Sequence, residues 1–83
     1  ITEADIVAKE TVLVKVRATA ATHREIMQIA TLLKGEIVDV SAESVIVELT
    51  SGEDEIDRLL DLLRPYSIKE IVRTGKIAMV RGG

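Results

Sequence analysis

The sequence contains no cysteine, phenylalanine or tryptophan, and it has only one proline, one histidine and one tyrosine. The absence of cysteine excludes disulfide bonds, thiolate zinc sites and cysteine nucleophiles, and it leaves the redox compartment undetermined. Without phenylalanine and tryptophan, a hydrophobic core must be built from aliphatic side chains, which bury less area per residue. Such a small aliphatic domain would gain stability from a partner surface.

Length and charge narrow the class of protein. The chain has 83 residues, enough for one small domain, and it opens with Ile1 rather than Met, which predicts a piece of a longer protein. The net charge is −3 with both signs interspersed, which argues against general binding to nucleic-acid phosphates. No apolar run approaches the ~20 residues that span a bilayer, and no signal peptide is visible. We therefore expect a soluble domain.

The first regular element is predicted from Thr11 to Arg17. Val12, Val14 and Val16 alternate there against Thr11, Lys15 and Arg17, and a period of two in β-branched residues is typical of a strand. Residues 1–10 are acidic and rich in small side chains, so we expect a linker from a missing preceding domain, with the domain itself at 11–83.

Two further β-rich runs, Glu36–Val40 and Ser44–Thr50, predict an antiparallel hairpin with a loop of about three residues. Apolar side chains occupy both registers of these runs, whereas a strand with one solvated face should alternate more cleanly. The pattern predicts that both faces of the sheet are partly covered. Since two short helices cover one face, another subunit or domain is expected on the other.

A helix is predicted from Thr22 to Leu33, where apolar residues recur at helical spacing. Thr22 followed by Glu25 fits a capping box, in which each side chain bonds the backbone N–H of the other residue. Gly35 stands where a left-handed residue commonly ends a helix.

A second helix is predicted from Ser51 to Leu63, with Ser51 as N-cap and a buried row of Ile and Leu. Pro65 disfavours helical geometry at the residue before it, so the helix should end at Arg64. Two β-rich runs follow within Ile68–Val80, separated at Thr74–Gly75. One interrupted strand and a tight hairpin are both compatible with this pattern, and we favour one strand.

The resulting order is β-α-β-β-α-β with short connections. It predicts an α+β, ferredoxin-like fold: a four-stranded antiparallel sheet with two helices on one face. Domains that bind small molecules, including those of the ACT type, share this order with many others, so the fold alone selects no function.

Catalytic and metal-binding patterns are lacking. His23 is the only histidine, at the exposed start of a helix, and a metal site would need further ligands from elsewhere. The acidic cluster that follows Gly52 complements a helix dipole but lacks the spacing of a calcium loop. No glycine-rich phosphate loop is present. We predict no catalytic, cofactor-binding or metal-binding residues in this chain.

Basic residues are concentrated near the end of the chain, around the Thr74–Gly75 break. One interpretation is a turn or bulge whose charges protect an exposed strand edge. The other is a surface for a partner protein, made by Arg73, Thr74, Gly75 and Lys76. Both can hold.

Four segments carry a family resemblance: KVRA (15–18), REI (24–26), EIVDVS (36–41) and RPYSIKEIVRTGKIAMVRG (64–82). Together they resemble the C-terminal domain of the regulatory, or small, subunit of acetohydroxyacid synthase, also called acetolactate synthase. The last segment is the specific one, with Pro65 and Tyr66 before a strand that ends in Arg73-Thr74-Gly75.

The resemblance implies a non-catalytic, cytoplasmic regulatory domain that forms homodimers and binds a catalytic large subunit. In that family the catalytic subunit uses thiamine diphosphate, Mg and FAD and makes acetolactate for isoleucine and valine biosynthesis. The small subunit raises its activity and confers feedback inhibition by branched-chain amino acids. The effector binds mainly to an N-terminal ACT domain, which this chain lacks, so no effector-binding residue is expected here. The alternative is a free-standing ferredoxin-like dimerisation module that senses a small molecule or a metal.

Overall fold

The fold comes from a computed structural model that describes residues 5–82. Its helices and strands follow in the order β1 (Ile6–Arg17), α1 (His23–Leu32), β2 (Glu36–Val40), β3 (Ser44–Ser51), α2 (Glu53–Leu63), β4 (Ile68–Arg73) and β5 (Ile77–Val80). A 3₁₀ turn at Arg64–Tyr66 follows α2, so the predicted end of that helix is confirmed.

The sheet has the spatial order β2-β3-β1-β4, and all of its neighbouring strands are antiparallel. Each βαβ unit is therefore split, because β3 lies between β1 and β2 and β1 lies between β3 and β4. The predicted α+β, ferredoxin-like class is confirmed.

One aliphatic core holds the sheet to the helices. Valines that alternate along β1 and β3 pair across the sheet, with Val14 opposite Val47 and Val16 opposite Val45. These side chains are 0% exposed. They pack with the buried helix residues Ile26, Ala30, Ile56, Leu59, Leu60 and Leu63 in one cluster. Both helices thus cover the same face, as the spacing predicts.

The last two strands are not a hairpin. β4 pairs with the second half of β1, and β5 pairs with Ile6–Lys9 in its first half. The segment Ile68–Val80 therefore runs along one edge of β1 as a single strand with a break, which is the alternative we favoured.

Strand β1 begins at Ile6, whereas the alternation of valines predicts a start at Thr11. Within the predicted linker, residues 6–10 are strand, and residues 1–4 lie outside the described part of the chain. Ile6–Lys9 and β5 form a two-stranded ribbon, which we call the arm. The rest of the domain is called the body. Together the two give the described residues an elongated shape of 48 × 20 × 19 Å.

The predicted capping box at the start of α1 is wrong. Thr22 is the N-cap, but its backbone is helical (φ −103°, ψ −9°) and its side chain does not cap the helix. Its Oγ1 instead accepts a hydrogen bond from the N–H of Thr19 at 3.0 Å. The Thr19 carbonyl accepts from the N–H of His23 at 2.9 Å, so a preceding turn caps the helix.

The residue that ends α1 in a left-handed conformation is Lys34 (φ 62°), not Gly35. The N–H groups of Lys34 and Gly35 donate to the carbonyls of Thr31 and Ala30, at 3.1 and 2.8 Å, which completes a Schellman motif. Glycine at 35 has another cause: a Cβ there would lie 2.8 Å from the backbone oxygen of Glu48. Close approach to β3 therefore requires it.

One further local prediction needs correction. Gly52, in an extended conformation, is the N-cap of α2, whereas Ser51 is the last residue of β3. In β2 the pairing register shifts between Ile37 and Asp39. This bulge at Val38 lets both Ile37 and Val40 pair with buried valines of β3. The cover expected on the other face of the sheet stays a prediction.

Candidate protein-contact site

The predicted contact residues Arg73 to Lys76 lie at the junction between body and arm, where β4 ends and before β5 begins. Thr74 crosses this junction by exchanging two hydrogen bonds with Thr11 of β1. Its N–H donates to the Thr11 carbonyl, and its Oγ1 accepts from the Thr11 N–H, both at 3.0 Å. Gly75 follows with φ 84°, a value that L side chains rarely adopt. The break between β4 and β5 is therefore a junction held by hydrogen bonds to β1.

Arg73 points into its own chain. Its Nε donates to the carboxylate of Glu10, which is 5% exposed, and its guanidinium lies 3.8 Å from a carboxylate oxygen of Asp57 on α2. The hydrogen bond to Glu10 is the main cause that raises the pKa of Arg73. Arg73 therefore neutralises a buried acid and joins the sheet to α2, while a third of its side chain stays exposed.

Lys76 makes a second connection to α2. Its Nζ lies 2.6 Å from Oε2 of Glu53, the first residue of that helix, and both side chains are more than half exposed. The hydrogen bond from Lys76, and then its charge, hold the pKa of the Glu53 carboxyl below its ordinary value of 4.5. A groove of about 520 Å³ between the arm and the start of α2 is lined by these two residues and by Asp54 and Glu55.

The structure gives three of the four predicted residues partners elsewhere in the chain: Thr74 bonds Thr11, and Arg73 and Lys76 bind carboxylate partners. The sequence did not indicate those partners, Glu10, Asp57 and Glu53. An acidic residue within a predicted linker and acidic residues at a helix start are both common, so no local pattern distinguished them.

Tyr66 has a role that the sequence analysis missed. Its hydroxyl donates to Oε2 of Glu25 at 2.7 Å, which joins the turn after α2 to the first turn of α1. Because this bond favours the protonated phenol, the pKa of Tyr66 is raised above 10.0. Glu25, assigned to a capping box from its spacing, bonds this distant residue instead.

His23 differs from the expected solvated side chain. It is half-buried at the start of α1, and its enclosed Nε2 makes no hydrogen bond within residues 5–82. No group of three or more His, Asp or Glu residues in that range is placed to hold a metal ion. Nor is any helix of the described chain long and apolar enough to cross a bilayer.

Comparison with known proteins identifies the family. The sequence pattern described as "Small subunit of acetolactate synthase" matches residues 9–82. The chain belongs to the acetolactate synthase small-subunit family. The prediction that it is part of an enzyme's small subunit, and not of a catalytic one, is confirmed.

Individual small subunits agree. The chain is 45% identical to the probable acetolactate synthase small subunit of Archaeoglobus fulgidus, over 99% of its own length and 51% of that protein. It is 43% identical to the small subunit of Bacillus subtilis, over 99% and 48%. The crystal structure of the Thermotoga maritima small subunit superposes with a TM-score of 0.90 at 34% identity, covering 98% of this chain and 50% of that one. The chain thus spans about half the length of these relatives.

Proposed function

We propose that this chain is the C-terminal domain of a regulatory small subunit, which supports activation and branched-chain amino acid feedback inhibition of the catalytic large subunit of acetolactate synthase. The observation that carries this proposal is the family match across residues 9–82. The absence of a metal-ligand cluster in residues 5–82 is compatible with a role through protein contacts. The proposal includes a small-subunit dimer and an effector site in another domain.

The contact surface proposed for the large subunit is the outer side of the junction, made by Arg73, Thr74, Gly75 and Lys76. Arg73 and Lys76 keep 34% and 57% of their side chains exposed while they bind Glu10 and Glu53. Exposed guanidinium and ammonium donors on a rigid junction are suited to carboxylates of a partner. Because Arg73 joins the sheet to α2 and Lys76 binds the first residue of α2, a partner at this surface would act on both connections.

The test is acetolactate formation by the large subunit, alone and with the complete small subunit. We expect the small subunit to raise the rate, valine to lower it, and Lys76→Glu to weaken activation. The swap Lys76→Glu with Glu53→Lys keeps an ion pair at the junction but reverses the outward charge. If position 76 contacts the large subunit, the double variant should activate it as weakly as Lys76→Glu does. Recovery of activation in the double variant would contradict direct contact. Arg58→Glu, an exposed substitution on α2, is the matched control.

Calorimetry on the 83-residue chain separates this proposal from a free-standing sensor. Valine, leucine and isoleucine are titrated one at a time, followed by zinc and nickel ions. We expect no binding heat in any titration, because the effector site is assigned to another domain and no ligand cluster is present in residues 5–82. Saturable binding of any of these would favour the sensor.

A further inference from the structure

The arm extends beyond the part of the sheet that the helices cover. The β3 pairing of β1 stops at the pair of Glu10 and Ser51, and in the described chain β5 pairs with β1 alone. The outer strand of the arm is open to solvent, with Ile77 72% and Met79 76% exposed. A two-stranded ribbon is marginally stable by itself and twists more strongly than a wider sheet. The angle between arm and body therefore depends on the contacts at the junction.

The outer strand has a break at which this angle can change. Gly75 lies between β4 and β5 with φ 84°, and a Cβ there would meet no atom within 4 Å. Glycine reaches other backbone conformations at little cost, and the open space around Gly75 leaves room for them. Thr74, by contrast, is held to Thr11 by two hydrogen bonds. The position for a pivot is therefore Gly75, beside the continuous strand β1.

The groove of about 520 Å³ between the arm and the start of α2 is crossed by an ion pair. Ala8 of the arm lines one side of the groove, and Gly52 and Asp54 line the other. Lys76, the residue after the pivot, reaches Glu53 with 2.6 Å between Nζ and Oε2, and both side chains are more than half exposed. Exposed ion pairs are weak and are screened by salt, so this contact can open and close.

We propose that the ion pair of Lys76 and Glu53 is a latch that holds the arm against α2, and that the arm pivots at Gly75 when this latch opens. Arg73 stays bonded to Glu10 on the body side of the pivot, so the buried carboxylate keeps its donor in both positions. A carboxylate of a partner that replaces Glu53 at Lys76 opens the latch, which couples docking at the junction to movement of the arm. Only this coupling rests on the proposed function, since the latch belongs to the chain alone.

The distance between two spin labels, measured by pulsed electron paramagnetic resonance, tests the latch. Because the sequence contains no cysteine, Met79→Cys on the arm and Arg58→Cys on α2 give two unique labelling sites, both exposed. The labelled chain is diluted in unlabelled chain, so that only distances within one copy are measured. With no further substitution we expect one narrow distribution of distances, because the latch holds the arm in place.

Substitution of Lys76 should release the arm. Lys76→Met should raise the population of longer distances several-fold, up to about fivefold, a size set by the weakness of exposed ion pairs. Lys69→Met, the same substitution at another exposed lysine, on β4, is the matched control and should leave the distribution unchanged. The swap Lys76→Glu with Glu53→Lys should restore the narrow distribution. High salt should act on the labelled chain as Lys76→Met does.

Circular dichroism of each variant establishes that it folds. A distribution that Lys76→Met leaves unchanged, or that Lys76→Met and Lys69→Met broaden equally, overturns the latch. A labelled chain that is already as broad as its Lys76→Met variant overturns it as well. In a cysteine-free complete small subunit, adding the large subunit should shift the same label pair to longer distances, and an unchanged distance overturns the coupling. The swap separates the two proposals, because it should restore the arm here without restoring activation in the acetolactate assay.

Discussion

Within the body, β1 contributes Val12, Val14 and Val16, which are 0% exposed beneath two helices. Within the arm, the same strand contributes Ile6 and Val7 to a ribbon whose other strand carries Ile77 and Met79, 72% and 76% exposed. In both regions β1 is paired with a neighbouring strand, with β3 and β4 in the body and with β5 in the arm. The comparison shows that strand pairing does not require a core, and that stability should fall where the helices end.

The largest expected effect comes from removing the same side chain in each region. Ile56→Ala, at a fully buried site in α2, should lower the free energy of unfolding by about 2–5 kcal/mol, since it leaves a cavity. Ile77→Ala in the arm should change it by less than about 0.5 kcal/mol. Urea unfolding of dilute protein measures both. Equal losses would mean that the arm is covered as well as the body.

Substitution of glycine in the body and at the junction should lower stability for different reasons. Gly35→Ala in the body places a Cβ 2.8 Å from the Glu48 carbonyl oxygen and should cost about 1–3 kcal/mol. Gly75→Ala at the junction meets no atom within 4 Å, but its φ of 84° should cost about 1–2 kcal/mol. Asn tolerates left-handed backbone, so Gly75→Asn should recover stability whereas Gly35→Asn should not. Thermal unfolding of the four variants tests this contrast. A Gly35→Asn variant more stable than Gly35→Ala would contradict it.

Substitution of Arg73 tests whether its ion pair with Glu10 supports the neighbouring arm. Arg73→Ala leaves the carboxylate of Glu10, 5% exposed, without its donor and should cost about 1–3 kcal/mol. Amide hydrogen exchange within Ile77–Val80 should become faster at the same time. Arg64→Ala, which removes an exposed ion pair with Asp61, is the control and should have little effect. Adding Glu10→Gln should recover part of the loss; no recovery would mean that Arg73 stabilises the fold by packing alone.

These elements also show how far the sequence could predict the fold. The helix stripes, the β2–β3 hairpin and the helix stop before Pro65 depend on neighbours within about ten residues, and all were predicted. The arm depends on Ile6–Lys9 finding Ile77–Val80 at the far end of the chain. Neither run alternates, since both sides of the arm are apolar, so periodicity could not identify either as part of a ribbon.

The same limit applies to the candidate site. The basic residues at the junction were visible in the sequence, but their partners were not, because Glu10 and Glu53 meet Arg73 and Lys76 only through the tertiary fold. Local sequence rules were also wrong where the fold brings a distant partner close, since Glu25 accepts a hydrogen bond from Tyr66 and does not cap its own helix. Sequence therefore located the junction, and structure explained how it is held.

The smallest expected effect concerns the exposed pair of Lys76 and Glu53. Because the folded-state pKa of Glu53 lies below 4.5, the contribution of this pair is present above pH 4.5 and is lost as the pH falls through that lower value. Carboxyl NMR titration should give a midpoint below 4.5, and Lys76→Met should move it up toward 4.5. High salt should do the same in part, since both groups face solvent. A midpoint at or above 4.5 in the unmodified chain would mean that Lys76 does not hold the arm in solution, leaving Arg73 and Thr74 to hold it to the body.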